Sequence, residues 1–220
     1  MGLERIYDYL RKLEQNNDRE WFKEHKDEYD EVAKIFAEFV QANINRIALI
    51  DSSVMSVKPK DCVFRIYRDT RFSPNKTPYK THMGAYINPH GKKSPMFGYY
   101  IHLQPGNSFI GGGSIGLPTK LLTKIRENIY YRIDEYRLIV EDAEFKKYFP
   151  VVGMDFLKSA PKGFSKDYEY IDYLRCREYV CSYNVDDSFF TSKDYFDKIE
   201  APLHQLKHLA DFINSALDEE

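Results

Sequence analysis

What most limits the fold of this chain is a change of hydrophobic period that occurs twice. Over the first fifty residues apolar side chains recur every third or fourth position, the period of a helix with one buried face. Between residues 60 and 115 the period drops to two, in short β-branched and aromatic runs separated by Pro, Gly and Asn. After Pro118 the helical period returns. Strands gathered in one block, between helical blocks, do not suit an alternating parallel βαβ sheet. The pattern therefore predicts an α+β fold. Its sheet should be mainly antiparallel, with about four to six strands in the middle of the chain. Its apolar face should be packed by N-terminal, central and C-terminal helices.

The element boundaries follow from local signals. Leu3, Ile6, Tyr7, Leu10 and Leu13 mark a first helix. Asn17 followed by Glu20 predicts a capping box for a second, whose stripe runs through Phe22, His25, Tyr29, Val32, Phe36, Ile44 and Ile47. Strands are expected at 62–68 (CVFRIYR), 83–88 (MGAYIN), 97–104 (FGYYIHLQ) and 108–112 (SFIGG). The Gln104-Pro105-Gly106-Asn107-Ser108 turn should join the last two as a hairpin. A further strand is expected over 179–185. Pro118 opens a helix that should break near Arg132, and a final helix starts at Thr191 or Ser192, kinked or split by Pro202. No repeat or linker divides the chain, which predicts a single domain over 1–220. Its parts are helical at 1–51, strands and a basic loop at 60–115, helical at 118–150, mixed at 164–190, and a C-terminal helix at 192–218.

Composition removes several function classes. The formal net charge is −2, so no global basic field points to nucleic acid or a membrane surface. No apolar run approaches the roughly 18 residues that span a bilayer. The opening MGLERIYDYLRK is charged and amphipathic, without an apolar signal region. Cys62, Cys176 and Cys181 form an odd set with no CxxC spacing. Reduced thiols and a cytoplasmic location are expected. No cofactor is predicted and no metal site. His82 and His102 have no carboxylate or Cys at ligand spacing, and His204 and His208 stand alone, four apart on a helix. The GGGS run lacks the Gly-Lys-Ser/Thr of a phosphate loop, and no nucleophile elbow surrounds Ser108 or Ser114.

The stretch that stands apart is 60–82, KDCVFRIYRDTRFSPNKTPYKTH. Lys60, Arg65, Arg68, Arg71, Lys76 and Lys80 against Asp61 and Asp69 give six minus two, or +4, so the remainder carries −6. A basic island on an acidic body suits a focused anion site better than a long polyanion track. Strand alternation sorts the side chains: Arg65 and Tyr67 on one face, then Gly84, Tyr86 and Asn88, then Tyr100, His102 and Gln104. Together these predict a polar, aromatic-rich wall. On it Arg65, Arg68, Arg71, Lys76 and Lys80 would neutralise a small phosphate- or carboxylate-bearing ligand, and Tyr67, Tyr79, Tyr100 and His102 would orient it. His82 and His102 are the candidate proton shuttles, with no catalytic residue assigned. Glu20, Trp21 and His25 could approach the same cleft, although packing is the plainer explanation for them. Asp69 is expected to be structural, pairing with Arg68 or Arg71. Gly111, Gly112 and Gly113 are expected to permit close backbone approach. Two other readings use the same island: a nucleic-acid module that grips phosphates and stacks bases, or a scaffold that docks an acidic partner.

Several strings also point to a known family. FRIYRDTRFSPNKTPYKTHMGAYI, GYYIHLQPGNSFIGGG and the Pro-led helix with KIRENI resemble the domain of unknown function 2461 family. So do NNDREWFKEHKDEY, LKSAPKGF and PLHQLKHLADFINSAL. The resemblance runs over nearly the whole chain and implies a single cytoplasmic domain. It brings no activity, cofactor or partner with it. Pro74 and Asn75 stand where the family more often has Lys and Asp.

Overall fold

The protein is described by a computed structural model covering residues 2–217, so Met1 and the end of the expected 192–218 helix lie outside the described residues. Helix α1 (Glu4–Gln15) buries Ile6, Tyr7, Leu10 and Leu13, as its period requires. The next cap is Asp18, not Asn17. The Asp18 carboxylate accepts the N–H groups of Glu20 and Trp21 at the start of α2 (Arg19–Glu24). Asn17 is engaged elsewhere, as described below. The expected continuous second helix is also interrupted. At His25 the backbone leaves helical geometry (φ −105°, ψ 23°) and the ring Nδ1 sits 2.8 Å from the Trp21 carbonyl. Helix α3 (Lys26–Ile47) then carries the apolar stripe, burying Val32, Phe36, Phe39, Val40, Ile44 and Ile47.

Pro59 at a helical first position starts the short α4 (Pro59–Cys62). Residues 62–68 are therefore not a regular strand, contrary to the alternation. Strands β1 (Met83–Ile87), β2 (Gly98–Leu103) and β3 (Ser108–Ser114) follow, then β4 (Met154–Phe156) and β5 (Cys176–Val185). They form one antiparallel five-stranded sheet in the order β1-β2-β3-β5-β4, flanked by helices. The exposed three-residue β4 has no periodic signature and was not anticipated. The remaining helices are α5 (Thr119–Tyr131), α6 (Ile133–Val140), α7 (Ala143–Tyr148), α8 (Ile171–Leu174), α9 (Asp187–Thr191) and α10 (Tyr195–Ser215). The break at Arg132 falls where expected. The last helix starts later than expected because α9 intervenes, and it runs unsplit through Pro202. A missing N–H costs about 3 kcal/mol in a helix interior, and burying Leu203 and Leu206 beside it offsets that.

Two compact units are present, each assembled from separated stretches. Met1–Lys92, Tyr100–Ile110 and Asn184–Lys198 make the first. There Phe39 meets Phe190 edge-on at 5.8 Å, and the buried Tyr195 hydroxyl donates to Asn43 Oδ1 at 2.7 Å. Lys93–Tyr99, Gly111–Tyr183 and Ile199–Glu220 make the second. Its core holds Ile125, Ile129, Tyr136, Phe145, Phe149 and Tyr179. The buried Arg126 donates to the carbonyls of Leu174 and Cys176 at 2.8 and 2.9 Å. Gly111, Gly112 and Gly113 lie on β3. A Cβ at Gly111 would sit 2.4 Å from the Cys181 carbonyl oxygen, so β5 can pair here only because a side chain is absent.

Candidate functional site

The basic stretch belongs to the first unit. Two isolated antiparallel bridges, Val63 with Ala85 and Tyr67 with Tyr79, fold residues 63–85 into an irregular ribbon. The bridges are four residues apart on the outgoing arm and six on the return, so the return arm carries two extra residues. That surplus breaks the ladder and explains why the alternating 62–68 run is not a strand. The bonds that remain are Phe64 N–H to Gly84 O (3.0 Å), Lys80 N–H to Ile66 O (2.8 Å) and Arg68 N–H to Pro78 O (2.9 Å). The ammonium of Lys80 donates to the Arg65 carbonyl at 2.8 Å and lies over the Phe64 ring.

The N-terminal helices anchor this ribbon. The Asn17 side-chain amide accepts from Tyr79 N–H at 3.1 Å and donates to Tyr79 C=O at 3.0 Å, imitating one more strand bridge. This engagement leaves the capping of α2 to Asp18. Tyr79 is only 5% exposed and stacks on Phe22 at 4.0 Å, with Tyr67 at the edge of both rings. Tyr79 is thus packed inside, whereas Tyr67 is 47% exposed. Trp21 and His25 stack on each other at 4.0 Å, and Phe22 is the α2 residue that meets the ribbon.

At the tip, most polar side chains hold the loop. Arg71 donates through Nε and Nη2 to the two oxygens of Asp69, at 2.9 and 2.6 Å. This guanidinium holds the Asp69 carboxyl down at about 2. Arg68 donates to Thr77 and Ser73, and Lys76 to the Thr70 carbonyl. The Asn75 carbonyl oxygen accepts from both the N–H and the hydroxyl of Thr77. Phe72 is 94% exposed, with the Arg71 guanidinium 5.8 Å from its ring. Arg65 is different: it is exposed, and its guanidinium has no hydrogen-bond or ion-pair partner among the described residues.

Behind the return arm lies a histidine pair. The His82 and His102 rings are 4.3 Å apart, and Phe109 stacks on His102 at 4.5 Å. His102 Nδ1 is 3.1 Å from the Tyr100 hydroxyl, and Nε2 is 3.0 Å from Gln104 Oε1. Gln104 Oε1 also accepts from Asn107 Nδ2, so it is an acceptor, and His102 carries its proton on Nε2. Nδ1 then accepts the Tyr100 O–H. The turn presenting Gln104 is itself tied down. The Ser108 hydroxyl bonds both the N–H and C=O of Gln104, and Asp187 accepts from Gly106 N–H and from Arg11. Gly84 leaves the room Tyr100 needs, since a Cβ there would lie 2.5 Å from its hydroxyl. Burial pushes the Tyr100 hydroxyl up to about 12 and lowers His102. Burial, His102, Lys80 and Arg68 together hold His82 down at about 4. Both imidazoles are neutral at pH 7.

The ribbon thus brings Lys80 near Arg65, and Lys80 and Arg68 near His82, with Tyr100 and His102 behind, while Arg71, Lys76 and the bonds of Arg68 to Thr77 and Ser73 hold the loop. Asn17 was read only as a cap because its partner lies 62 residues along the chain, and Gly84 stood on the expected polar face without its role of making room for Tyr100, which lies on the next strand. Gln104 was legible from its alternation with His102. A cavity of about 530 Å³ in the second unit, lined by Arg132, Glu135, Leu138, His208, Asp211 and Phe212 among others, has its cation already engaged. Arg132 donates to Glu135, Asn128 and Ser215. Cys62, Cys176 and Cys181 are free and buried. Among the described residues no group of three or more His, Cys, Asp and Glu side chains could hold a metal ion. No described helix is long and apolar enough to cross a membrane.

An α+β protein with a cation-bearing ribbon clasped by helices is the class these features define. Residues 5–212 match the family described as Conserved hypothetical protein (DUF2461), and the chain belongs to it. No curated protein and no solved structure matches the chain.

Proposed function

We propose that the ribbon binds a small phosphate- or carboxylate-bearing molecule, neutralised by Arg65, Arg68 and Lys80. One observation carries this. Lys80 stands in electrostatic reach of Arg65, Lys80 and Arg68 stand in reach of His82, and none of the three cations makes an ion pair with a carboxylate among the described residues. The acid at the tip, Asp69, is already taken by Arg71. Like charges held together without a counter-charge destabilise one another, and an anionic ligand removes that penalty. A nucleic-acid strand is the second reading, favoured by the exposed rings of Phe72 and Tyr67 beside the cations. A cytoplasmic setting goes with either, because three buried free thiols need no oxidising compartment.

The test is a thermal-shift panel of sulfate, phosphate, nucleotides, sugar phosphates, dicarboxylates and short single-stranded oligonucleotides. At about 100 times its Kd a ligand adds about 2.7 kcal/mol, or on the order of 5–10 °C in Tm for a chain this long. A small anion should give that shift, and Arg65→Ala should abolish it while leaving the ligand-free Tm near wild type. Stabilisation by oligonucleotides alone, falling steeply with salt, favours the strand reading. No response to any member of the panel removes both.

A further inference from the structure

Sequence spacing leaves His82 and His102 equivalent, and their surroundings separate them. His102 is committed at every point. Its Nε2–H is held by Gln104, its Nδ1 by the Tyr100 hydroxyl, and Phe109 and His82 pack against its ring. A proton could reach Nδ1 only by displacing the Tyr100 O–H. His82 has neither ring nitrogen hydrogen-bonded among the described residues, although its ring is half-buried against His102. It therefore presents one free N–H and one free lone pair.

The charged and titratable groups acting on His82 are all cationic or neutral. Lys80 and Arg68 come from the ribbon and His102 from β2, with the Tyr100 hydroxyl bonded behind His102. No carboxylate is among them. In this field an extra proton on His82 is disfavoured while the cations are unopposed. A dianion beside Lys80 and Arg68 balances those two charges and gives the free imidazole nitrogen an acceptor of its own. A monoanion balances only one.

We propose that His82 is the proton-accepting residue of this site, becoming an imidazolium that donates a hydrogen bond to a bound dianion of the phosphate or sulfate type. This rests on the anion-binding reading above and names the ligand class and the residue that answers to it. The proton comes from solvent: one N–H bond forms on His82 as the anion enters, and no other covalent bond changes. Binding and proton uptake are then linked, so the dianion binds more tightly as the pH falls.

Sulfate is the probe, because it remains a dianion across the working range and neither gives nor takes a proton. The imidazole signals of the six histidines are titrated by NMR from pH 3.5 to 8, with saturating sulfate and with sodium chloride at equal ionic strength. His82→Gln identifies the His82 signal. The expected result is a rise of at least one unit in the His82 midpoint under sulfate, a tenfold gain in proton affinity. Sulfate affinity should rise correspondingly as the pH falls, and His82→Gln should flatten that dependence. If sulfate binds, seen as Tm and amide shifts near Arg65 and Lys80, but the His82 midpoint stays put, the proposal is wrong and the anion site survives. A midpoint change at His102 instead also overturns it. If sulfate does not bind at all, the anion site fails for this ligand class and the proposal fails with it.

Discussion

Asn17 is the residue whose removal should most clearly expose how the ribbon is held. Its amide makes two hydrogen bonds to the backbone of Tyr79, and Tyr79 is buried, so water cannot readily replace them. At about 1 kcal/mol each, Asn17→Ala should cost about 2 kcal/mol. For a chain of 220 residues that is a fall of about 4–8 °C in Tm. The loss should be local before it is global. The amides of Arg68 and Lys80, which close the ribbon onto Pro78 and Ile66, should lose about 30-fold in hydrogen-exchange protection, the equivalent of the same 2 kcal/mol. Asn17→Asp sharpens the test. It keeps the acceptor for Tyr79 N–H but sets a carboxylate against Tyr79 C=O. It should therefore be at least as destabilised as the alanine variant at pH 7, and recover as the carboxyl protonates and regains a donor below about pH 4. A fall of less than 1 °C in Asn17→Ala, with both amides still protected, would refute the clamp.

Three further outcomes are expected. Asp69 should titrate near 2 by carbon NMR, and in Arg71→Ala its midpoint should climb toward the ordinary value of about 3.9. Because the folded value is depressed, the pair's support of the loop is present above about pH 4 and disappears as the pH falls toward 2; an unchanged midpoint in Arg71→Ala refutes this. Arg126→Met strands two buried carbonyls, at Leu174 and Cys176, and should lower stability by about 2–4 kcal/mol in urea titration. A loss below about 0.5 kcal/mol would show that those carbonyls find other partners. Burial pushes the thiols of Cys62 and Cys176 up to about 11 and raises Cys181 further. Native protein should resist a thiol-reactive disulfide reagent at pH 8 and react at all three cysteines in urea, and labelling of any thiol within minutes in the native state contradicts their burial.

Much of the architecture was legible because it rests on local periodicity. The stripes of α1 and α3, the Pro-led α5, the break at Arg132 and the β2–β3 hairpin with its Pro-Gly-Asn turn all have their causes within a few residues. The alternation along GYYIHLQ likewise put Tyr100, His102 and Gln104 on one side, where they make a hydrogen-bonded chain. The same local logic failed at 62–68, where an alternating run forms no regular strand. The count of residues between two bridges, set by the returning arm, broke the ladder. It failed also at Asn17, whose side chain found a backbone partner 62 residues away and left the cap to Asp18.

The candidate site divides along the same line. Sequence alone determined that a +4 island stands on an acidic chain and that arginine, tyrosine and histidine crowd into it, since charge and composition are sums over residues. Only the tertiary structure decided which of those groups are free. Arg71 was claimed by Asp69, Lys76 by a carbonyl, Tyr79 by Phe22 and His102 by Tyr100 and Gln104, while the Arg65 guanidinium and the His82 ring nitrogens have no hydrogen-bond partner among the described residues. Whether a side chain is available to a ligand depends on which hydrogen bonds its neighbours have already made. Those neighbours are chosen by how distant segments pack, not by the residues beside it in the chain.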